Sequence, residues 1–272
     1  MTRARTRERR EERQRQQRRQ RQIILVAGLV VLAVVAAVGL ILVNQPTEAV
    51  IPPESAERYT GIPQSQTEEG YPVLGNPDAP VQLTEYSSFD CPHCQEFHET
   101  VLPALIGRVR AGEVRFTFVP IFGTGGVTNG EGAARAAVCA AEQGGFWPYH
   151  DALFTWQAVY SNTAFGQNRL ASGIENLGLN RADWEACLRS DLPDRVVLSA
   201  TEASQQIENF SGTPMVLVNG VSVPTDLNSI NAAIDQALAS AAPASPEAET
   251  TAEATSQAEV TAEATAEATQ AP

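Results

Sequence analysis

The longest apolar run of the chain covers residues 23–43, which are 21 residues without a charge. As a helix that rises about 1.5 Å per residue, this run spans roughly 31 Å, close to the thickness of a bilayer's hydrocarbon core. A cleaved secretory signal has a shorter apolar core of about 7–15 residues and a small-residue cleavage site, which the polar residues after Val43 do not provide. The pattern therefore predicts one retained transmembrane helix.

Between residues 69 and 240 the pattern alternates between the periods of strands and helices. Runs typical of strands cover residues 81–86, 114–120, 215–218 and 221–223, and the last two are joined by the hairpin turn signal Asn219-Gly220. Patterns typical of helices cover residues 94–111, with a kink expected at Pro103, most of 131–209, and a last stretch that begins after Asp226 or Asn228 and runs to Leu238. The predicted order is β-α-β, a helical block, a β-hairpin and a helix, which indicates an α/β fold.

Charge and composition divide the rest of the chain. Residues 1–22 carry ten of the 19 basic residues and only three acids, which leaves nine arginines against 29 acids and a net charge of −20 for the remainder. The basic segment is expected to stay in the cytoplasm under the positive-inside rule, so that the acidic remainder lies outside, where disulfides persist. An acidic body argues against a nucleic acid as partner. Residues 44–68 are predicted to be a polar linker, and residues 241–272, which lack large apolar side chains, a disordered acidic tail.

The motif C-P-H-C at residues 91–94 carries the clearest chemical signal, because it falls where the first strand gives way to the first helix. The free N–H groups and the dipole of a helix N-terminus favour a thiolate, which is the reactive form of cysteine. Pro92 suits the first helical turn, and His93 adds a donor or a positive charge between the two sulfurs. Cys91 is therefore expected to be the attacking cysteine and Cys94 the resolving one. Asp90 opposes a thiolate if it points inward, and we expect it to face solvent.

Glu85 is a second candidate because it shares one strand face with Val81 and Leu83 if the alternation holds. On the core face it becomes a buried acid with a raised pKa that can exchange a proton with the resolving thiol. A register shifted by one residue makes it an ordinary exposed glutamate instead.

Residues 70–240 resemble the DsbA-like branch of the thioredoxin superfamily. The resemblance rests on PVLGNPDAPVQLTEYSSFDCPHC, CAAEQGGFWPYHDALF and SGTPMVLVNG. It implies a thioredoxin-like fold with a helical insertion at about 129–209, preceded here by the single transmembrane helix. It also implies that Glu85 is the family's buried acid, and that Thr213-Pro214 is its cis-proline segment, which faces the disulfide and offers backbone groups to a substrate strand.

Cys139 and Cys187 lie in helical segments of the insertion and are either two buried free thiols or a structural disulfide. The resemblance and an oxidising location both favour the disulfide. Four aromatic residues of the insertion, Trp147, Tyr149, Phe154 and Trp156, are expected in its core.

The sequence thus predicts a membrane-anchored, extracytoplasmic thiol–disulfide oxidoreductase without a cofactor or bound metal. Its expected partners are cysteine-containing exported proteins as substrates, a membrane redox partner that reoxidises Cys91 and Cys94, and lipid around residues 23–43. An oxidase is favoured over a reductase or isomerase, because whatever stabilises the Cys91 thiolate makes the disulfide a stronger oxidant. An alternative of another class is a non-catalytic metal-binding module that uses Cys91, Cys94 and His98.

Overall fold

A mixed six-stranded sheet with the strand order β1-β2-β4-β3-β5-β6 organises the domain. The computed structural model describes residues 2–43 and 46–241 of the 272-residue chain. The strands are β1 Gln64–Gln66, β2 Pro72–Leu74, β3 Val81–Ser88, β4 Val114–Ile121, β5 Met215–Val218 and β6 Val221–Val223. Only β3 and β4 pair in parallel, and the other neighbouring strands pair antiparallel. Because β3 lies between β4 and β5, the carboxyl end of β3 is held from both sides.

Ten α-helices and one 3₁₀ turn, Ser161–Thr163, complete the described part of the chain. The α-helices are α1 Thr2–Val43, α2 Glu54–Tyr59, α3 Pro92–Thr100, α4 Leu102–Arg110, α5 Gly130–Ala141, α6 Phe146–Tyr160, α7 Gln167–Asn176, α8 Arg181–Leu188, α9 Leu192–Gln205 and α10 Leu227–Ala241. Helix α9 contacts β4, and α10 contacts β3 and β5. The predicted α/β fold of thioredoxin type with a helical insertion is confirmed, with α5–α9 as the insertion.

The expected kinked helix over 94–111 is two helices that meet at Val101. Pro103 explains the break, since a proline has no N–H to donate and its ring displaces the carbonyl four residues earlier. The turn between β5 and β6 follows its sequence signal, with Asn219 and Gly220 both at positive φ, 48° and 80°. Asp226 begins the last helix by accepting a hydrogen bond from the Ser229 N–H at 3.0 Å.

The predicted linker over residues 44–68 differs from the structure, in which residues 46–68 pack on the domain. Ala49, Tyr59 and Ile62 are buried, and the segment contains α2 and β1. Its backbone carbonyls at Glu48, Ala49 and Val50 accept hydrogen bonds from side chains of the insertion, at 2.7–2.8 Å. The polar composition of this segment hid these contacts, because carbonyl acceptors are available whatever the side chain.

The insertion has a core of its own, in which Trp147, Tyr149, Phe154 and Trp156 are buried as expected. A disulfide joins Cys139 of α5 to Cys187 of α8, with 5.7 Å between their Cα atoms. This linkage holds together two helices that are 48 residues apart in sequence.

Helix α1 includes one stretch, Arg18–Ile41, that is long and apolar enough to cross a membrane, and this is the only such stretch in the described chain. None of it is buried against the domain. It is compatible with the single membrane anchor predicted at residues 23–43. The predicted disordered tail lies, from residue 242 onward, outside the described residues.

Candidate active site

The Cys91–Cys94 pair lies at the carboxyl end of β3, where the chain turns into α3. Cys91 is the N-cap of α3 in an extended backbone conformation, and Pro92 follows in the first turn. The N–H groups of Cys94 and Gln95 bond the Cys91 carbonyl at 3.1 and 3.2 Å, which starts the helix. Both cysteines are free thiols in this structure, and Cys91 is only 3% exposed.

The surroundings of the Cys91 sulfur stabilise its thiolate. The Cys94 thiol donates a hydrogen bond to it, and the Thr213 side chain and the backbone N–H groups of Cys94 and His93 add further donors. Together they lower the pKa of Cys91 to about 5 against the opposing effect of burial. The sulfur is therefore an anion at neutral pH.

Cys94 has the opposite character. It is completely buried, and its sulfur accepts a hydrogen bond from the Ser88 N–H at 3.4 Å. Burial, the hydrogen bond that it donates to Cys91 and the nearby carboxyl of Glu85 together raise the pKa of Cys94 far above that of a free cysteine. The pair thus combines one thiolate with one thiol, which is the asymmetry that thiol–disulfide exchange uses.

The peptide bond between Thr213 and Pro214 is cis, as the family resemblance implies. Pro214 immediately precedes β5. Because β5 pairs with β3, the cis-proline segment lies next to the cysteines at the end of β3. The Cys91 sulfur lies 3.3 Å from the Thr213 carbonyl oxygen, to which it donates a hydrogen bond when it is protonated. The predicted substrate-contacting residues Thr213 and Pro214 therefore lie beside the predicted attacking sulfur. Together with His93, Phe97 and Leu227 they line a cavity of about 520 Å³.

Glu85 lies beneath the cysteines on the core face of β3, in phase with Val81 and Leu83. It is 2% exposed, and its Oε2 has no hydrogen-bond partner among the described residues. Burial raises its pKa to about 8, while the Ser87 side chain lowers it and the Cys91 charge raises it further. The predicted register of this strand is thus the observed one, and the acid is neutral at pH 7 in most molecules.

His93 differs from the expected arrangement. Its side chain is 80% exposed and lies 3.8 Å from the Glu96 carboxylate, on the outer face of α3. Its backbone N–H, rather than its imidazole, contributes to lowering the pKa of Cys91.

Asp90 was expected to face solvent, and this expectation is wrong. The residue is 5% exposed, and its carboxylate accepts hydrogen bonds from the N–H groups of Gly123 and Gly125 at 2.9 and 3.3 Å and from the Ser88 hydroxyl. An acid next to a thiolate is tolerated here because backbone donors of a neighbouring loop satisfy it.

The sequence did not predict a buried cluster of polar side chains around Asp151. Its carboxylate accepts hydrogen bonds from the Tyr59 hydroxyl at 2.6 Å and Arg58 at 2.8 Å, and it lies 2.8 Å from the His98 Nε2. Burial opposes ionisation, but hydrogen bonds from His150 and His98 hold the pKa of Asp151 well below its usual range. The charge within the otherwise apolar FWPYHDALF stretch is the only sequence signal for this cluster.

Helix α3 is bound through His98 to this cluster, so the imidazole points to the insertion and not to the cysteines. Within the described residues, His98, His150 and Asp151 form the one group close enough to hold a metal ion, with ligand atoms within 4.8 Å of one another. The Asp151 carboxylate already accepts hydrogen bonds from Arg58 and the Tyr59 hydroxyl. A metal site built from Cys91, Cys94 and His98 therefore finds no support in this geometry.

Comparison with known proteins agrees with the fold. The family model described as thioredoxin matches residues 67–236, more than half of the chain. The chain therefore belongs to the thioredoxin family. Within it, the relatives and the site define a DsbA-like thiol–disulfide oxidoreductase.

Two curated relatives illustrate the match. A "Putative protein-disulfide oxidoreductase" of Rickettsia bellii is 29% identical over 70% of this chain and 76% of its own length. A "Probable disulfide bond formation protein D" of Bacillus cereus is 28% identical over 61% of this chain and 77% of its own length.

Solved structures share the fold at lower sequence identity. BdbD from Bacillus subtilis is 24% identical, with a TM-score of 0.55 over 65% of this chain and 98% of BdbD. MdbA from Corynebacterium diphtheriae, described as a thiol-disulfide oxidoreductase, is 19% identical, with a TM-score of 0.54 over 68% of this chain and 98% of MdbA.

Proposed function

We propose that this protein is an extracytoplasmic oxidase that donates the Cys91–Cys94 disulfide to cysteine pairs of exported proteins. The observation that carries the proposal is the hydrogen-bonded Cys91 thiolate, with a pKa of about 5. Interactions that stabilise the thiolate belong to the reduced protein and are lost in the disulfide. They therefore favour reduction of the protein, and with it oxidation of its substrate.

The pKa of Cys91 gives the size of the stabilisation of the reduced protein. At pH 7 a thiol with a pKa of about 5 stabilises the reduced protein by about 2.7 kcal/mol relative to an ordinary cysteine, which is still protonated. For a two-electron couple this corresponds to about 60 mV toward a more oxidising disulfide. This shift accounts for about two fifths of the roughly 150 mV by which DsbA and thioredoxin differ.

The proposed reaction has two exchange steps. A substrate thiolate attacks the Cys91 sulfur of the disulfide, a mixed disulfide forms, and Cys94 leaves as a thiolate that takes up a proton. The second substrate thiolate then attacks the substrate sulfur of the mixed disulfide and releases the Cys91 thiolate. The substrate loses two electrons and gains a disulfide, and the protein gains both electrons as the reduced pair. Attack at Cys91 is consistent with its place beside Thr213 and the cavity, whereas Cys94 is completely buried.

Charge and hydropathy support the location. The basic residues 1–22 precede the apolar stretch of α1, and the domain that follows carries the disulfide Cys139–Cys187, which persists in oxidising compartments. We therefore place residues 1–22 in the cytoplasm, residues 23–43 in the lipid of the cell membrane, and the domain outside. Each turnover leaves Cys91 and Cys94 reduced, so the proposal also requires a membrane redox partner that reoxidises them.

The decisive measurement is the reduction potential of the Cys91–Cys94 pair in the full-length, detergent-solubilised protein, equilibrated with glutathione buffers at pH 7. An oxidase should lie nearer the value of about −120 mV known for DsbA than the value of about −270 mV known for thioredoxin. Between pH 6 and pH 8 the potential should fall by about 30 mV per pH unit, because only one proton accompanies the two electrons once Cys91 is ionised. A potential in the thioredoxin range would reject the oxidase and leave a reductase.

A further inference from the structure

The loop between β4 and α5, residues 122–129, passes directly over the active site. We call it the glycine loop because Gly123, Gly125 and Gly126 belong to it. A Cβ atom on Gly125 would lie 1.7 Å from the Asp90 carbonyl oxygen and 2.6 Å from the Cys91 Cα. Only glycine permits so close an approach, and this contact explains in part why Cys91 is so little exposed.

Asp90 holds the glycine loop in this place. Its carboxylate receives the two loop N–H groups of Gly123 and Gly125, and its carbonyl oxygen accepts the N–H of Val127 at 3.4 Å. The Ser88 hydroxyl donates to the same carboxylate and fixes its orientation. The three hydrogen bonds from the N–H groups of Gly123, Gly125 and Val127 bind the loop to the residue immediately before Cys91.

The other side of the glycine loop reaches the cis-proline segment. The hydroxyl oxygens of Thr124 and Thr213 lie 2.5 Å apart and share a hydrogen bond. The Thr213 carbonyl oxygen in turn lies 3.3 Å from the Cys91 sulfur, and the Thr213 side chain stabilises the Cys91 thiolate. Asp90, the glycine loop, Thr213 and Cys91 therefore form a closed ring of contacts around the sulfur.

We propose that Asp90 and Thr124 are positioning residues for thiol–disulfide exchange, which act by fixing Thr213 against the Cys91 sulfur. The inference rests on the proposed function in that Cys91 is taken as the sulfur that exchanges with substrate. In the contacts described above, the side chains of Asp90 and Thr124 bind Ser88, the glycine loop and Thr213, and not the Cys91 sulfur. Their effect passes through the glycine loop to Thr213, whose side chain and carbonyl face Cys91.

The direction in which the pKa of Cys91 changes on removal of Asp90 distinguishes this positioning role from a direct electrostatic role. If the Asp90 charge acted on Cys91 through space, its removal would lower the pKa of Cys91, because a neighbouring anion disfavours a thiolate. If Asp90 acts by positioning Thr213, its removal loosens the Thr213 side chain, which donates to the Cys91 thiolate, and the pKa of Cys91 rises. Removal of the Thr124 hydroxyl should produce the same rise without any change of charge.

The experiment titrates Cys91 in the reduced full-length protein by thiolate absorbance and by the pH midpoint of its alkylation. The variants are Asp90→Asn, Thr124→Val and both together. We expect each single change to raise the pKa of Cys91 by on the order of one unit. The double variant should shift it no further than the larger single effect, because both residues act through one path. The KM for a reduced peptide substrate should rise in parallel, since Thr213 also borders the cavity.

Matched variants control for charge and for folding. Asp78→Asn removes the same charge from the turn before β3, about 23 Å along the strand from the site, and should leave the pKa of Cys91 unchanged. Thr124→Ser keeps the hydroxyl and should restore the wild-type value, which a purely steric effect of Thr124→Val would not predict.

Three outcomes would overturn the inference. The first is a lowered pKa in Asp90→Asn, the second an unchanged pKa in Thr124→Val, and the third additive shifts in the double variant. A wild-type Cys91 with an ordinary cysteine pKa would instead reject the proposed function, so the two failures are distinguishable.

Discussion

The buried carboxyl of Glu85 makes the stability of the fold depend on pH. Its pKa is about 8 in the folded protein and about 4.5 when exposed in the unfolded chain. Between these values the folded state holds a proton that the unfolded state has released, so the contribution of Glu85 to stability falls as the pH rises. This contribution is highest below about pH 4.5 and levels off above about pH 8. Each pKa unit corresponds to about 1.36 kcal/mol, so the contribution of Glu85 to the free energy of unfolding decreases by about 5 kcal/mol between pH 4.5 and pH 8.

The change Glu85→Gln should abolish this dependence, because an amide has no proton to lose in this range. At pH 7 the 2.5 units between pH and the unfolded pKa correspond to about 3.4 kcal/mol, so we expect the variant to be more stable by about 3 kcal/mol. At pH 4 the two proteins should be equally stable. For a domain of this size the gain at pH 7 corresponds to a rise of roughly 6–12 °C in Tm.

Urea unfolding of the full-length protein in detergent, with the Cys139–Cys187 disulfide intact, measures this effect. The buried residues Trp147, Trp156 and Trp184 supply a fluorescence signal. The free energy of unfolding is compared between wild type and Glu85→Gln from pH 4 to pH 9, and Glu69→Gln, at an exposed turn residue, serves as the control. If the difference between wild type and Glu85→Gln does not grow between pH 5 and pH 8, Glu85 is not a buried acid with a raised pKa.

Two further predictions concern the cysteines. In Cys94→Ser, Cys91 should be trapped in mixed disulfides when it attacks the disulfide of an oxidised substrate protein, because Cys94 is no longer there to release it; non-reducing gels should show ladders that vanish on reduction and are absent from Cys91→Ser. Replacing both Cys139 and Cys187 by alanine should destabilise the domain by about 4 kcal/mol, the chain-entropy value for a loop of this length, without changing the pKa of Cys91; equal urea midpoints for the two proteins would contradict the structural role.

The parts of the site that the sequence predicts are those that a local pattern determines. Alternation along β3 places Glu85 on the core face, and C-P-H-C after a strand puts Cys91 at a helix N-terminus. The cysteines and the cis-proline segment are 119 residues or more apart in sequence, and only the family resemblance brings them together before the structure does. A register is readable from periodicity because strand side chains alternate strictly between two faces.

The parts that the sequence does not predict depend on backbone groups far away in the chain. Asp90 is buried because a loop more than 30 residues later offers it two N–H donors, and no side-chain pattern encodes those donors. The same holds for residues 46–50, whose carbonyls bind side chains of the insertion. A charged or polar residue is expected at the surface on average, and each of these exceptions is satisfied by partners that only the folded chain assembles.

The protonation states of Cys91, Cys94 and Glu85 indicate where the proton needed for substrate oxidation can come from. At pH 7 the reduced site holds a Cys91 thiolate, a Cys94 thiol and, because its pKa is about 8, a Glu85 carboxyl that is mostly protonated. When substrate attacks the disulfide, Cys94 leaves as a buried thiolate, which is the least stable species of the cycle because its pKa is raised. We propose that a neutral Glu85 gives this leaving group the proton that it needs and recovers one from solvent afterwards. When the reaction runs backwards the same carboxylate takes the proton back, so Glu85 speeds both directions equally. The direction itself is set by the Cys91 thiolate, which stabilises the reduced protein.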